Sequence, residues 1–291
     1  MNRREFLEAL ATLGSAVGAG IVTKGCASVP IRPDGSPETK PVDSLLKQGA
    51  SVMWIAAHPD DECFSGSLLA RASIHYGNKL HMLVFTKGDG GECCIRGGCH
   101  PDLKTVRAAE MERVAAMYKA SLRHESFFNA PLPVESFPKR HEIYAKWLKY
   151  KDPVKVALEE IEKFKPEIIV TFDPFHGATG HPEHQLASRV ATAAIRKATH
   201  HVLRTYYVEN RFWLFRILGL ADPGPVTETW DARSRCKPGM TCRDFMLEAT
   251  KLHKSQARDM GNVRRYYTLF GTLSLRQTDP FKNVYEPDAR T

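Results

Sequence analysis

Much is missing from these 291 residues, and each absence excludes something. Beyond one stretch near the N-terminus there is no long apolar run, which excludes a polytopic membrane protein. There is no internal repeat, which removes solenoids and propellers. There is no low-complexity tract either, and with 43% hydrophobic and 25% charged residues the chain is neither disordered nor fibrous. Acidic residues are in deficit, 33 against 41 Lys and Arg, for a formal net charge of +8. Yet no block of five or six like charges occurs, and no aromatic–basic stripe. The excess therefore reads as a solvated basic surface, and no nucleic-acid partner is expected.

The N-terminus reads as an address. Asn2-Arg3-Arg4-Glu5-Phe6-Leu7 is a twin-arginine pattern, followed by a weakly apolar stretch from Ala9 to Val22. That stretch falls short of the roughly 20 apolar residues of a membrane span, but has the charged-then-apolar order of an export signal. Pro30, Pro33, Pro37 and Pro41 then mark a linker. The expected organisation is a signal segment over 1–27, a Pro-rich linker over 28–49 and a single catalytic domain over 50–291. The mature protein is expected in the periplasm or outside the cell. Gly25-Cys26-Ala27 resembles the end of a lipoprotein signal, although Thr23 and Lys24 fit it badly; membrane anchoring is expected only if Cys26 is lipidated.

Cysteines are few. Cys63, Cys93, Cys94, Cys99, Cys236 and Cys242 follow Cys26, an even number for an oxidising compartment. Their spacings are looser than the two-residue gap of a zinc ribbon, so disulfides are favoured over a structural zinc. Cys94 with Cys99, and Cys236 with Cys242, would each close a short loop, with the pairing left open. Cys63 is expected to pack beneath the site rather than act as a nucleophile.

What is present is an alternation of strand and helix. Apolar runs at 51–57, 80–86 and 167–172 read as buried strands, with shorter candidates at 125–128 and 202–208. Helical spacing is read over 64–76, 103–120, 153–165 and 183–199, and a further helix around 243–258. This pattern argues for an α/β sandwich with a mostly parallel sheet.

Two short motifs follow buried strands. Ala57-His58-Pro59-Asp60-Asp61-Glu62 comes directly after the first, and Gly180-His181-Pro182-Glu183-His184 soon after the strand ending at Phe172. In an open α/β sheet, ligands bind beyond the carboxyl ends of the strands, so both motifs arrive at one edge. An imidazole and a carboxylate from the first, with an imidazole from the second, would make a two-histidine, one-carboxylate metal site. The second carboxylate would be free to act as base. The plainer alternative is a pair of helix-capping turns. Their joint placement behind two buried strands favours metal chemistry.

The first motif resembles the signature of the LmbE/PIG-L family of metal-dependent N-acyl deacetylases, and His181-Pro182-Glu183-His184 resembles that family's His-Pro-Asp-His segment. Thr86 to Glu92 resembles its Gly-rich loop, Arg107-Ala108-Ala109-Glu110 its Arg-x-x-Glu, and His253-Lys254-Ser255-Gln256 a late His-x-Ser-Gln. The resemblance implies a Rossmann-like three-layer sandwich and one divalent metal, zinc, on His58, Asp61 and His184. It further implies Asp60 as general base, His181 as the group that polarises the carbonyl, and Asp89 and Arg107 lining the substrate pocket. Glu110 either orients Arg107 or touches substrate. Two departures stand out. Glu183 replaces the usual Asp, and Cys93 to His100 form an insertion beside the pocket. The expected activity is hydrolysis of the N-acetyl amide of an amino sugar, an N-acetylglucosamine-containing glycan or conjugate. The rival is an exported metal- or carbohydrate-binding protein without catalysis.

Overall fold

The computed structural model describes residues 41–209, 225–269, 271–282 and 284–289. The expected signal segment, Cys26 and the linker up to residue 40 lie outside the described residues. Five strands, β1 (Val52–Ala56), β2 (Leu80–Thr86), β3 (Ser121–Phe127), β4 (Ile168–Phe172) and β5 (Arg204–Glu209), pair in parallel. β6 (Glu228–Asp231) and β9 (Thr272–Thr278) extend the sheet antiparallel, giving the order β3-β2-β1-β4-β5-β9-β6. A short hairpin, β7 (Arg235–Lys237) with β8 (Met240–Thr241), stands apart. Every residue of β1, β2 and β4 is buried, as both faces of a central parallel sheet must be.

The helices are α1 (Val42–Lys47), α2 (Gly66–Ala70), α3 (Leu103–Met117), α4 (Arg140–Tyr150), α5 (Pro153–Phe164), α6 (Pro182–Lys197), α7 (Cys242–Ala249) and α8 (Ala257–Leu269). Their starts are written in the sequence. The Asp102 carboxylate accepts from Thr105 N–H at 2.7 Å to open α3, and Asp152 accepts from Val154 N–H at 2.9 Å to open α5, whose first residue is a proline.

Alternate strand residues feed two cores. Trp54, Met82, Val84, Val170 and Phe172 pack with α1, α2, α3 and α7 on one face. Met53, Ile55, Phe85 and Ile169 pack with α4, α5 and α6 on the other. The expected three-layer sandwich is thus the observed one.

The structure corrects two expectations of detail and adds one helix. Residues 42–47, read as linker, form α1 and bury Val42, Leu45 and Leu46 in the first core. The Pro41 that suggested linker is the residue preceding the first helical turn, where proline is tolerated. The helix expected at 243–258 breaks after Ala249 into two 3₁₀ turns, Thr250–Leu252 and Lys254–Gln256, before α8 begins. The helix at 140–150 was not read, because only Ile143 and Trp147 are buried on it and two apolar residues make a thin stripe.

Candidate metal centre

The strand order places β2 and β4 on opposite sides of β1. The connections after β1 and β4 therefore open away from each other, leaving a crevice at the carboxyl ends. Both motifs fall there. Asp60 adopts φ 93°, a left-handed conformation that costs a non-glycine residue about 1–3 kcal/mol, and Asp61 starts a 3₁₀ turn. The second motif opens α6, where the His181 ring accepts from Glu183 N–H at 3.2 Å and Pro182 takes the first helical position.

The donors converge. His58 Nδ1 stands 3.1 Å from His184 Nε2, Asp61 Oδ1 stands 3.0 Å from His184 Nε2, and Asp61 Oδ2 stands 3.5 Å from His58 Nδ1. Donors arranged tetrahedrally around zinc, with bonds of about 2.0–2.1 Å, lie about 3.3 Å apart. Each imidazole is also locked in one tautomer. His58 Nε2 lies 2.5 Å from the Glu183 carboxylate, and His184 Nδ1 lies 2.8 Å from the Gly177 carbonyl. Both partners accept only, so in the neutral rings each outer nitrogen carries the hydrogen and each inner one presents a lone pair. Two lone pairs and a carboxylate facing one another call for a cation, and the residues fit a divalent metal ion.

Three imidazoles, His58, His181 and His184, also bring nitrogens within 4.8 Å of one another. The triangle with Asp61 is the tighter one. His181 Nδ1 is engaged by Glu183 N–H, which in the neutral ring leaves the hydrogen on Nε2. His181 is thus a donor at the rim of the site.

The electrostatics follow the geometry. Burial depresses the His58 imidazolium, but the Asp61 and Glu183 carboxylates outweigh it and push its pKa up to about 9. Burial raises the Asp61 carboxyl, yet His184 and His58 hold it well below the ordinary carboxylate range. Asp60 is raised by burial, opposed by Arg107 and reinforced by Asp61. A carboxylate kept ionised among imidazoles, beside one that accepts protons more readily, matches the division of labour that a metal ligand and a base would need.

Around this centre lies a shell that the sequence showed only as motif fragments. Glu183 is fully buried and satisfies three donors: His58 Nε2, Asn129 Nδ2 at 2.7 Å and Ala130 N–H at 2.8 Å. Arg107, expected in the substrate pocket, is buried and bound to the Asp60 carboxylate at 2.7 Å, the Pro59 carbonyl at 2.5 Å and the Gly88 carbonyl at 2.9 Å. It holds the strained Asp60 turn. Gly88 sits at φ +70°, and any Cβ there would run into that guanidinium. Asp89 is exposed in the next turn. Glu110 neither orients Arg107 nor faces the pocket; its two oxygens take Ser255 N–H at 2.8 Å and Ser255 Oγ at 2.6 Å. His253 pairs with Glu62 at 2.8 Å, both fully buried. The late motif therefore ties the chain's last quarter to the first.

The expectation left the pairing open, and the structure gives one bond among the described cysteines. The disulfide joins Cys93 to Cys99, and Cys94 is free, its N–H bound to the Ser255 carbonyl at 2.8 Å. Cys236 and Cys242 are buried thiols in contact and not bonded. Cys63 is buried, and burial with Glu62 and Asp60 beside it drives its thiol far up, against a nucleophilic role.

Comparison with known proteins adds sequence and fold relatives. A family model described as PIG-L, GlcNAc-PI de-N-acetylase, matches residues 53–195. A 1D-myo-inositol 2-acetamido-2-deoxy-alpha-D-glucopyranoside deacetylase of Mycolicibacterium vanbaalenii is 26% identical over 192 residues, covering 62% of this chain and 66% of that protein. For the next relative, of a Mycobacterium species, the covered share is 53%. The chain thus spans about half to two thirds of the length of these relatives. Among solved structures, N,N'-diacetylchitobiose deacetylase from Pyrococcus horikoshii has a TM-score of 0.56 at 13% identity, covering 81% of this chain and 86% of that one. The 4-carboxy-2-hydroxymuconate hydratase GalB from Pseudomonas putida KT2440 has the same TM-score at 15% identity, covering 81% and 98%. The fold alone therefore does not separate amide hydrolysis from hydration. The match to the PIG-L family model spans residues 53–195, which hold His58, Asp60, Asp61, His181 and His184.

Proposed function

We propose that this chain is a metal-dependent hydrolase that removes the acetyl group from an N-acetylated amino sugar. The observation that carries the reading is the pair of tautomer-locked imidazoles facing Asp61, with a second carboxylate and a donor imidazole beside them. The sequence relatives, deacetylases of an acetamido sugar by name, support the amide as the bond attacked.

His58 Nδ1, His184 Nε2 and Asp61 would hold the metal, and zinc suits two imidazoles and a carboxylate. When bound, such an ion acts as a Lewis acid and brings the pKa of a coordinated water to about 7. Asp60 Oδ2 is engaged by Arg107, so Oδ1 accepts the proton from the attacking water. As charge builds on the acetamide oxygen, the His181 Nε2–H donates to it. Asp60 then returns its proton to the nitrogen as the C–N bond breaks, releasing acetate and a free amine.

The twin-arginine leader supports an envelope or extracellular sugar, such as a chitin or wall fragment, as substrate. Replacing Arg3 and Arg4 by lysine should hold a fused reporter inside the cell. Reporter export unaffected by the change would remove that address.

The test of the reaction is acetate release by residues 41–291 from N-acetylglucosamine mono- and oligosaccharides, with zinc, with chelator and with Asp60→Asn. Chelator-sensitive acetate that disappears in the variant supports the reading. No acetate from any sugar, with one metal bound per chain, rejects it in favour of a binding role.

A further inference from the structure

The loop from Asp173 to Gly180 joins β4 to α6 and touches the centre through Gly177, whose carbonyl takes His184 Nδ1–H. The approach is close. Gly177 has φ +55°, and a Cβ there would lie 2.6 Å from His184 Cβ. The loop braces itself, with Gly177 N–H donating to the Asp173 carbonyl at 2.9 Å and Gly180 N–H to the His176 carbonyl at 2.5 Å.

Its upstream half is gripped from outside the centre. Arg189, just over one turn along α6 from His184, is fully buried and donates Nε to the Pro174 carbonyl at 3.1 Å and Nη1 to the Glu286 carbonyl at 3.2 Å. A buried guanidinium is retained at a desolvation cost, and what it adds is a rigid link between two backbone segments distant in sequence.

The second segment, Val284–Ala289, lies over that link. The Glu286 carboxylate accepts from Arg196 at 2.7 Å, and the Ala289 carbonyl accepts from Arg140 at 2.7 Å. Arg140 in turn donates to Gln185 at 3.1 Å. Tyr285 packs edge-on against Phe175 at 4.6 Å, with the Arg189 guanidinium 5.7 Å above its ring. The segment thus meets α6 directly at Arg189 and Arg196, and reaches Gln185 through Arg140.

We propose that Arg189, clamped by the segment Val284–Ala289, is a positioning residue for the metal centre. It fixes the 173–180 loop so that the Gly177 carbonyl holds His184 with Nε2 turned inward. The clamp's use in catalysis rests on the deacetylase reading, but its first test does not.

That test is hydrogen–deuterium exchange, read residue by residue by NMR, on metal-free residues 41–291 and on Arg189→Gln, Tyr285→Ala and a chain ending at residue 283. The Gly177 and Gly180 amides should exchange at least about tenfold faster in all three, with the amides of β1 and β4 protected as in the parent. Metal affinity, titrated with cobalt(II), should weaken about 10–100-fold. If acetate is released, kcat should fall with KM unchanged. Arg189→Lys, which cannot hold both carbonyls in one plane, should recover only part of the protection. Unchanged exchange at Gly177 and Gly180 in the folded variants overturns the clamp. Faster exchange with parental cobalt affinity overturns its action on the centre. If Arg189→Gln does not fold, the other two variants decide, since neither alters α6. Absence of acetate alongside the expected exchange and affinity changes would count against the reaction and for the clamp.

Discussion

At Glu183 one methylene group decides how the His58 imidazole is held. Its two oxygens serve His58 Nε2, Asn129 Nδ2 and Ala130 N–H at once, from a fully buried position. Glu183→Gln keeps the length but gives up the charged acceptor, and metal affinity is expected to fall about 10–100-fold in competition with a chelator of known strength. Glu183→Asp, which restores the residue usual in the resembling family, shortens the reach and leaves a buried donor unsatisfied. The expected loss is about 1–3 kcal/mol in urea unfolding. His124 gives a second prediction at this scale. Burial and the Lys87 charge lower its pKa to about 4, while its Nε2–H donates to the Thr86 carbonyl at 2.8 Å. The folded state keeps it neutral where the unfolded chain takes up a proton, so its contribution is full above about pH 6.5 and is lost as pH falls toward 4. The urea midpoint of His124→Gln should fall less over that interval than the parent's. Most single residues of the centre were legible in the sequence, because His58, Asp60, Asp61, His181 and His184 come in two unbroken motifs. Arg107 was legible as a residue but not in its contacts, because its partners Pro59, Asp60 and Gly88 are reached only through the fold.

At the scale of elements, α1 extends the domain towards the N-terminus. Leu46 is fully buried, Val42 N–H donates to the Glu228 carboxylate at 2.9 Å, and Asp43 pairs with Arg71 at 2.8 Å. Leu46→Ala should therefore cost about 2–5 kcal/mol in denaturant unfolding, as a core truncation does, and a chain starting at residue 50 should be less stable than one starting at 41. The loop before α6 makes a different demand. In Gly177→Ala the new Cβ meets His184 Cβ, with Gln185 N at 2.9 Å and the His181 carbonyl at 3.0 Å. Metal binding should be lost in a protein whose circular dichroism is unchanged, because the conflict is confined to one turn. Strands β1, β2 and β4 could be read from sequence because burial on both faces writes a continuous apolar run. Strand β9 could not: Thr272–Thr278 alternates leucine with polar residues, and its place between β5 and β6 depends on antiparallel pairing across long gaps in the chain.

The whole molecule distributes function along one edge of its sheet. The parallel order around β1 sends both motifs to the same crevice, whereas Glu62 with His253, and Glu110 with Ser255, fasten the later chain beneath it. A metal that binds only the folded arrangement must stabilise it. At a free concentration of about 100 times Kd the gain is about 2.7 kcal/mol, so calorimetry should show a Tm that rises with added zinc and drops with chelator. A Tm indifferent to both would mean that no such site forms. The motifs show that the crevice exists, but the clamp beside it was not readable: Arg189 and the segment Val284–Ala289 are partners that only the fold brings together. Among the described residues the same open sheet ends in two rims. One is β6, four residues long. The other is β3, where Arg123 and Glu125 are fixed by Glu160 and Lys151 from the helical layer. A brief strand at one border and anchored charges at the other make poor templates for strand addition by a second molecule. The layout that gathers the chemistry at one edge thus leaves both described rims ill suited to sheet extension.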